Sequence, residues 1–328
     1  MEGRFEAEQV LASAPAMAAL GELAGELRAA GYADEVIADA GTRTEALTRL
    51  ALGLDTDRGA LGSVDVEGLS AAGALDVVDA TVIPRFALFA RDATFVLLPR
   101  DDGFAPERVY FGRDSVWLAE IAARLRPEGG AVADLGTGAG AVAALLAPRY
   151  ERVVATDVAP RTAASAAITL ALNPRPDGRP AGAVCLADVA SGLRPGAFDL
   201  VTANPPWVPD VSGHGGPRTY ASGGASGFEL PRRFMVEAAE LLAPGGVAVV
   251  LGIDATWSDG SRPLLALSRG LRRMGYDVAV EPTGEAVMWP TLEADMTARV
   301  PGMAAVRHVA VLMHRPGPVP ARPRLAPT

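Results

Sequence analysis

From about Val109 to Met313 the chain alternates short apolar runs of strand length with longer amphipathic runs of helix length. No other feature of its 328 residues limits the fold so strongly. The pattern predicts strands at Ala131–Leu135, Arg152–Thr156, Ala183–Leu186, Phe198–Ala203, Gly246–Ile253, Asp277–Glu281 and Ala305–Met313. Helices are predicted at Ser115–Leu125, Gly140–Ala147, Arg161–Leu172, Pro231–Leu242 and Pro263–Met274. In the first of these, Val116, Leu118, Ile121, Ala122 and Leu125 are expected to face inward. Strands that each return through a helix pair in parallel, so the expected class is α/β, with a doubly wound and mostly parallel sheet.

The first hundred residues read differently. One helix is predicted over residues 6–30, with Val10, Leu11, Met17, Leu20, Leu23 and Leu27 on its face. Others are predicted at Ala33–Ala40, after Thr42 (with Ala46, Leu47, Leu50 and Leu54 inward) and near Leu69–Leu75. Strands Val82–Phe89 and Ala93–Leu98 then form a hairpin around Ala90–Asp92. Short helices closed by a hairpin suggest a mainly helical, winged-helix-like domain. Such a domain serves either DNA binding or packing and substrate selection, and its acidic segments favour the second. Asp101-Asp102-Gly103 marks the boundary. The expected division is 1–105, then a catalytic domain 106–314, then a disordered Pro/Arg-rich tail 315–328.

Composition narrows the setting. Hydrophobic residues are 49% and charged residues 21%, as in soluble globular proteins. No apolar run approaches the ~20 residues of a membrane span. The start, Met1-Glu2-Gly3-Arg4, carries no basic-then-apolar leader, and the one cysteine, Cys185, has no internal partner. A cytoplasmic location is therefore expected. The net charge of -9 argues against a phosphate-backbone partner. Lysine is absent, so arginines on the surface say little.

Three features carry chemistry. Asp134-Leu135-Gly136-Thr137-Gly138-Ala139-Gly140 ends a predicted strand and opens a helix, where glycines let backbone pass close to a ligand. Gly136-x-Gly138-x-x-Ala141 also fits a dinucleotide fingerprint, and a tight βα turn without a ligand would read the same way. Asp157 ends the next strand, where a carboxylate accepts from ribose hydroxyls, and Asp188 follows the third, in reach of an adenine amino group. Either acid could instead cap the following helix. The third feature is Asn204-Pro205-Pro206-Trp207, directly after Phe198–Ala203. Its prolines remove two backbone donors and hold the chain extended. The Asn204 amide oxygen and the Pro205 carbonyl then converge as acceptors on a substrate N–H, and Trp207 offers a flat face.

These residues, in this order, resemble class I S-adenosylmethionine-dependent methyltransferases of amino and amide nitrogens. The pattern is most similar to the protein-glutamine N-methyltransferases that modify peptide-chain release factors. The Gly-rich stretch Ala221–Glu229 resembles that family too, and the likeness spans roughly residues 110–255. The resemblance implies a seven-stranded Rossmann-like sheet whose last strand runs antiparallel. It implies that Asp134, Gly136, Thr137, Gly138 and Gly140 hold the methionine part of the cofactor, Asp157 the ribose and Asp188 the adenine. It also implies that Asn204, at the cofactor's edge, and Pro205 hold the target nitrogen.

The expected reaction is direct displacement of a sulfonium methyl by nitrogen, catalysed by positioning and aimed acceptors. His214, His308, His314 and Cys185 are scattered, so no metal is expected. The segment Val211–Ser226, with Arg218 and Tyr220, is either a lid or a passive loop. Trp207, Tyr220, Glu229 and Asp254 are the expected substrate contacts; with Glu293 and Asp295, the acids would suit a cationic or guanidino acceptor. The acceptor is expected on a small molecule or a protein side chain. The alternatives are a nucleic-acid base N-methyltransferase, a nicotinamide-dependent dehydrogenase, or a winged-helix regulator with a degenerate catalytic domain.

Overall fold

The computed structural model describes residues 5–29, 32, 42–91, 93–100, 108–126, 128–210, 221–283 and 292–317. The chain opens with α1 (Ala7–Ala12) and α2 (Ala14–Ala29) where one helix was expected. Ser13 divides them: its backbone is extended and its hydroxyl accepts from Ala16 N at 3.3 Å, the behaviour of a helix N-cap. Ser13-Ala14-Pro15 carried that signal in the sequence. Leu11, assigned to the inner face, lies exposed at the end of α1. The predicted helix Ala33–Ala40 falls outside the described residues.

Next come α3 (Thr42–Ala51), β1 (Thr56–Asp57) and α4 (Val66–Ala71). Asp65 caps α4 by accepting from Gly68 N, so this helix starts three residues before the predicted one. The expected hairpin is in fact two. Strands β2 (Leu75–Val78) and β3 (Thr81–Pro84) form one, with β1 on the outer edge of β3. Strands β4 (Phe86–Arg91) and β5 (Thr94–Pro99) form the other. The run read as a single strand breaks at Arg85, which leaves the ladder to bond Ala74 O and Arg100 N and to pair with Asp76. Strand β1 thus meets β3, the second strand of that hairpin, with α4 between β1 and β2 in the chain.

The rest is a doubly wound sheet. In chain order it holds α5 (Arg113–Leu125), β6 (Gly129–Leu135), α6 (Ala141–Leu146), β7 (Tyr150–Asp157), α7 (Pro160–Leu172), β8 (Ala183–Leu186) and β9 (Phe198–Ala203). Then follow α8 (Glu229–Leu241), β10 (Leu242–Trp257), α9 (Pro263–Arg273), β11 (Asp277–Pro282), α10 (Leu292–Arg299) and β12 (Met303–His314). The seven strands lie in the order β11-β12-β10-β9-β6-β7-β8. Strand β12 runs antiparallel to both of its neighbours, and the five strands from β10 to β8 are parallel. Burial on both faces follows the period of a strand: Ala131, Ala133 and Leu135 pack with α8 and α9, while Val132 packs with α5 and α6.

Helix α5 buries Leu118 and Ala122 as expected, but also Asp114 and Ser115, while Leu125 points outward. The helix is turned so that its first turn, not its last, is covered. The expected boundary near residue 105 lies outside the described residues, and packing crosses it. Ala164, Ile168 and Leu172 of α7 belong to the N-terminal core. Asn173 completes the open edge of β5, accepting from Phe95 N at 2.8 Å and donating to Phe95 O at 2.6 Å. Within the expected tail, Arg315 is anchored: its backbone N–H reaches Gly246 O and its guanidinium Leu242 O.

Candidate active site

Helices α6 and α7 connect strands on one side of β6, and β9 stands on its other side. The strand order therefore reverses at β6, and open sheets of this kind bind ligands over the carboxyl ends at that reversal. Leu135 is in register with Ala203, so Gly136 and Asn204 leave the sheet side by side. The cleft above them encloses about 980 Å³, its solvent-filled mouth included. Its walls bring together Asp134, Gly136, Thr137, Gly138, Asp157, Asp188 and Asn204, all predicted from sequence.

Gly136, Gly138 and Gly140 all have positive φ, which lets the loop fold back over the strand end. Gly140 is not on the cleft wall. A Cβ there would lie 3.0 Å from Ala166 Cα, so its role is to bring α6 close to α7 rather than to touch a ligand. Asp134 lies beneath the loop, where Oδ2 accepts from Thr137 Oγ1 at 2.6 Å and Oδ1 from Thr202 Oγ1 at 2.8 Å. Asp157 bridges two elements, accepting from Gly138 N at 3.1 Å and from Ala159 N at 3.0 Å. It thus braces the loop and the turn before α7, whose N-cap is Ala159 and not Asp157, and it still lines the cleft. Asp188 also lines the cleft, with Oδ1 paired to Arg233 at 2.8 Å.

Burial raises the Asp134 carboxyl to about 6, against the hydrogen bonds from Thr137 and Thr202 and with help from the nearby Asp157 charge. Burial raises Asp157 as well, against its backbone donors. A carboxylate raised in the folded state favours folding below its unfolded value near 3.8 and loses that contribution as pH rises through about 6. Relative to Asp134→Asn, the ligand-free protein should therefore lose stability between about pH 4 and pH 6, read as the difference in Tm. A pH-independent difference would show that Asp134 is not held in this way.

Asn204 has a partner that the sequence did not reveal. Its Nδ2 donates to Asp114 Oδ2 at 2.8 Å, and Asp114 is held by Tyr110 Oη at 3.0 Å and Ser115 N at 2.9 Å. The carboxylate only accepts, so it determines which way the Asn204 amide points. Asp114 falls just before the predicted helix Ser115–Leu125, so no local pattern marked it as a site residue.

Pro206 reaches the cleft, whereas Pro205 is buried and is not on its wall. Trp207 turns away from the cleft. It packs beside Ile253, Ala255, Met296, Val300, Met303 and Val306, with its ring 5.1 Å from that of His308. The Gly-rich stretch supports it from below: Gly223 N donates to Val208 O, and a Cβ on Gly227 would come 2.5 Å from Trp207 O.

Two predicted substrate contacts have other work. Glu229 accepts from Ser226 N and Phe228 N and so closes the turn before α8. Burial would raise its carboxyl, but these donors hold it below the usual range. Asp254 is buried and accepts from both Arg262 and Arg307 at 2.8 and 2.9 Å. Its charge is already matched, so it offers no cation site. Tyr220 and Arg218 lie outside the described residues. Among the described residues no three His, Cys, Asp or Glu side chains are placed to hold a metal, and no helix is long and apolar enough to cross a membrane.

Residues 114–254 match the methyltransferase small domain family. The chain is 36% identical over 173 residues to the release factor glutamine methyltransferase of Moorella thermoacetica, covering 48% of this chain and 55% of that protein. It is 32% identical over 181 residues to the protein of the same name from Deinococcus radiodurans, covering 52% and 60%. The chain thus spans little more than half the length of these relatives. Among solved structures, TYW2 of M. jannaschii in complex with AdoMet aligns at 17% identity and a TM-score of 0.45, over 74% of this chain and 92% of that one. The matched segment begins at Asp114 and ends at Asp254, so it includes Asn204 and all of the cleft wall except Arg108 and Tyr110, but not β11, α10 or β12.

Proposed function

We propose that this protein transfers a methyl group from S-adenosylmethionine to nitrogen, with the side-chain carboxamide of a protein glutamine as acceptor. The observation that carries this reading is the Asp114–Asn204 hydrogen bond. With its –NH2 committed to Asp114, the Asn204 amide presents Oδ1 as a fixed acceptor beside the glycine loop. The names of the relatives supply the glutamine.

The cleft residues fit the cofactor. A buried carboxylate at the carboxyl end of β6 and a partly buried one at that of β7, under a loop of left-handed glycines, suit a ligand with a cationic amino-acid end and a ribose. Asp134 and the loop would hold the methionine part. Asp157 would take the ribose hydroxyls on the lone pairs its backbone donors leave open, and Asp188 the adenine edge. The cofactor supplies an electrophilic methyl group on sulfonium sulfur. The C–S bond breaks as the N–C bond forms, and the nitrogen gives up a proton to solvent. Asn204 Oδ1 would orient one N–H bond and stabilise the positive charge that grows on the nitrogen. A guanidino acceptor has little support, because Asp254 is neutralised and Glu229 faces its own turn.

The test is transfer of radiolabelled methyl to size-fractionated lysate of the source cell. Label should stay with protein and appear as N-methylglutamine after digestion. Label in the RNA or small-molecule fraction would refute the glutamine assignment. Asp114→Asn should slow the transfer by about 30-fold, because the new amide can hold the Asn204 amide either way round. Turnover unchanged in that variant would mean that Asp114 does not set the acceptor.

A further inference from the structure

The turn after β8 forms the Asp188 side of the cleft, and it contains a strained residue. Val189 is buried, lines the cleft and has a φ of 52°, a left-handed conformation that a β-branched side chain opposes. Strain of this kind persists only where the surroundings fix it, and it gathers at ligand sites. Here the peptide group between Val189 and Ala190 is held at both of its polar atoms. Thr156 Oγ1 donates to Val189 O at 2.7 Å, and Ala190 N donates to Glu237 Oε2 at 2.9 Å. The other Glu237 oxygen, Oε1, accepts from Arg233 Nε at 2.7 Å, and Arg233 Nη1 donates to Asp188 Oδ1 at 2.8 Å.

Arg233 and Glu237 stand one turn apart on α8, the helix whose Leu230 and Phe234 line the same cleft. The Arg233 and Asp188 side chains are 43% and 55% exposed, so their pairing adds little to folding stability. Its effect is geometric. With Oδ1 engaged by Arg233, the Asp188 carboxylate keeps Oδ2 for a donor in the cleft. A carboxylate only accepts, so it suits the 6-amino group of adenine and opposes the 6-oxo group of hypoxanthine.

We propose that Glu237 and Arg233 are positioning residues for cofactor recognition: by fixing the Val189–Ala190 peptide and the Asp188 carboxylate, they make the site select a 6-aminopurine over a 6-oxopurine. The inference rests on reading Asp188 as the adenine contact, and it names the residues that aim it. Neither side chain is on the cleft wall, so each acts through the turn it holds. Without Glu237 the Ala190 N–H loses its acceptor, the turn can relax out of the left-handed conformation, and Asp188 moves with it.

Calorimetric titration with S-adenosylhomocysteine and with its hypoxanthine counterpart, S-inosylhomocysteine, tests this. The wild type should prefer the adenine compound by about 100-fold. Asp188→Ala should abolish that preference. A wild type without the preference, or an Asp188→Ala protein that keeps it, would overturn the adenine reading of Asp188 and this inference with it. Glu237→Ala should lower the preference about tenfold, by weakening the adenine compound while the hypoxanthine compound stays within about threefold. Glu237→Gln, which keeps an acceptor for Ala190 N, should recover most of the loss. Equal weakening of both compounds in Glu237→Ala, as a merely structural role would give, or an unchanged preference, would overturn the proposal. Should Glu237→Ala fail to fold, Arg233→Leu decides: it alters an exposed side chain, and it should lower the preference by about threefold. An unchanged preference there would overturn the proposal too. No methyl acceptor enters these titrations, so a failure of the glutamine reading would leave them as they are.

Discussion

Asn204→Ala should reduce methyl transfer by about 300- to 1000-fold while leaving affinity for S-adenosylhomocysteine within about threefold. The asymmetry follows from the position of the side chain. Asn204 leaves the sheet beside Gly136, at the edge of the cleft, with its –NH2 tied to Asp114. What it offers is one acceptor aimed at the nitrogen that becomes positive as the methyl arrives. Losing an aimed dipole of this kind raises the barrier more than it weakens ground-state binding. Alanine also leaves Asp114 short of a donor, although Tyr110 and the Ser115 N–H still hold it, so the fold should survive. Single-turnover rates and calorimetric titration separate the two effects. An unchanged single-turnover rate with a raised KM would assign Asn204 to uniform binding and remove it from the chemistry.

The second large effect is expected at Asp157, in the cofactor and not in the acceptor. Asp157→Ala should weaken S-adenosylhomocysteine binding by about 100- to 10,000-fold, since two hydrogen bonds to a charged group are lost at about 1.5–3 kcal/mol each. Gly138 N and Ala159 N lose their acceptor in the same step, so some loss of stability accompanies it. Asp157→Asn should bind at an intermediate level, because it keeps one acceptor oxygen. If Asp157→Ala bound the ligand as the wild type does, while the glycine-loop amides exchanged faster with solvent, the carboxylate would be a loop brace alone.

Much of this protein can be read from local pattern. The seven strands, their order of appearance and the antiparallel last strand agree with the expectation to within a few residues at each end. Strand periodicity and the glycine loop depend on neighbours close in sequence. The errors cluster where the chain's partners are distant. The single long helix at the start failed at Ser13, and the single hairpin failed at Arg85, whose bonds to Ala74 and Arg100 no local pattern encodes. Glu229 and Asp254 looked like pocket acids because of where they fall in the chain. Their donors, Ser226 N and the pair Arg262 and Arg307, take up their charge elsewhere.

The sequence by itself determined the doubly wound sheet and the residues Asp134, Gly136, Thr137, Gly138, Asp157, Asp188 and Asn204 that line the cleft. Such positions are legible because each sits at the end of a strand, and a strand end has one place in a parallel sheet. Only the tertiary structure decided the direction of the Asn204 amide, set by Asp114 from 90 residues away. It also decided that Trp207 faces His308 and the C-terminal segment instead of the cofactor cleft. A hydrogen bond between distant residues depends on distance and angle after folding, and neither quantity is written in the order of the residues.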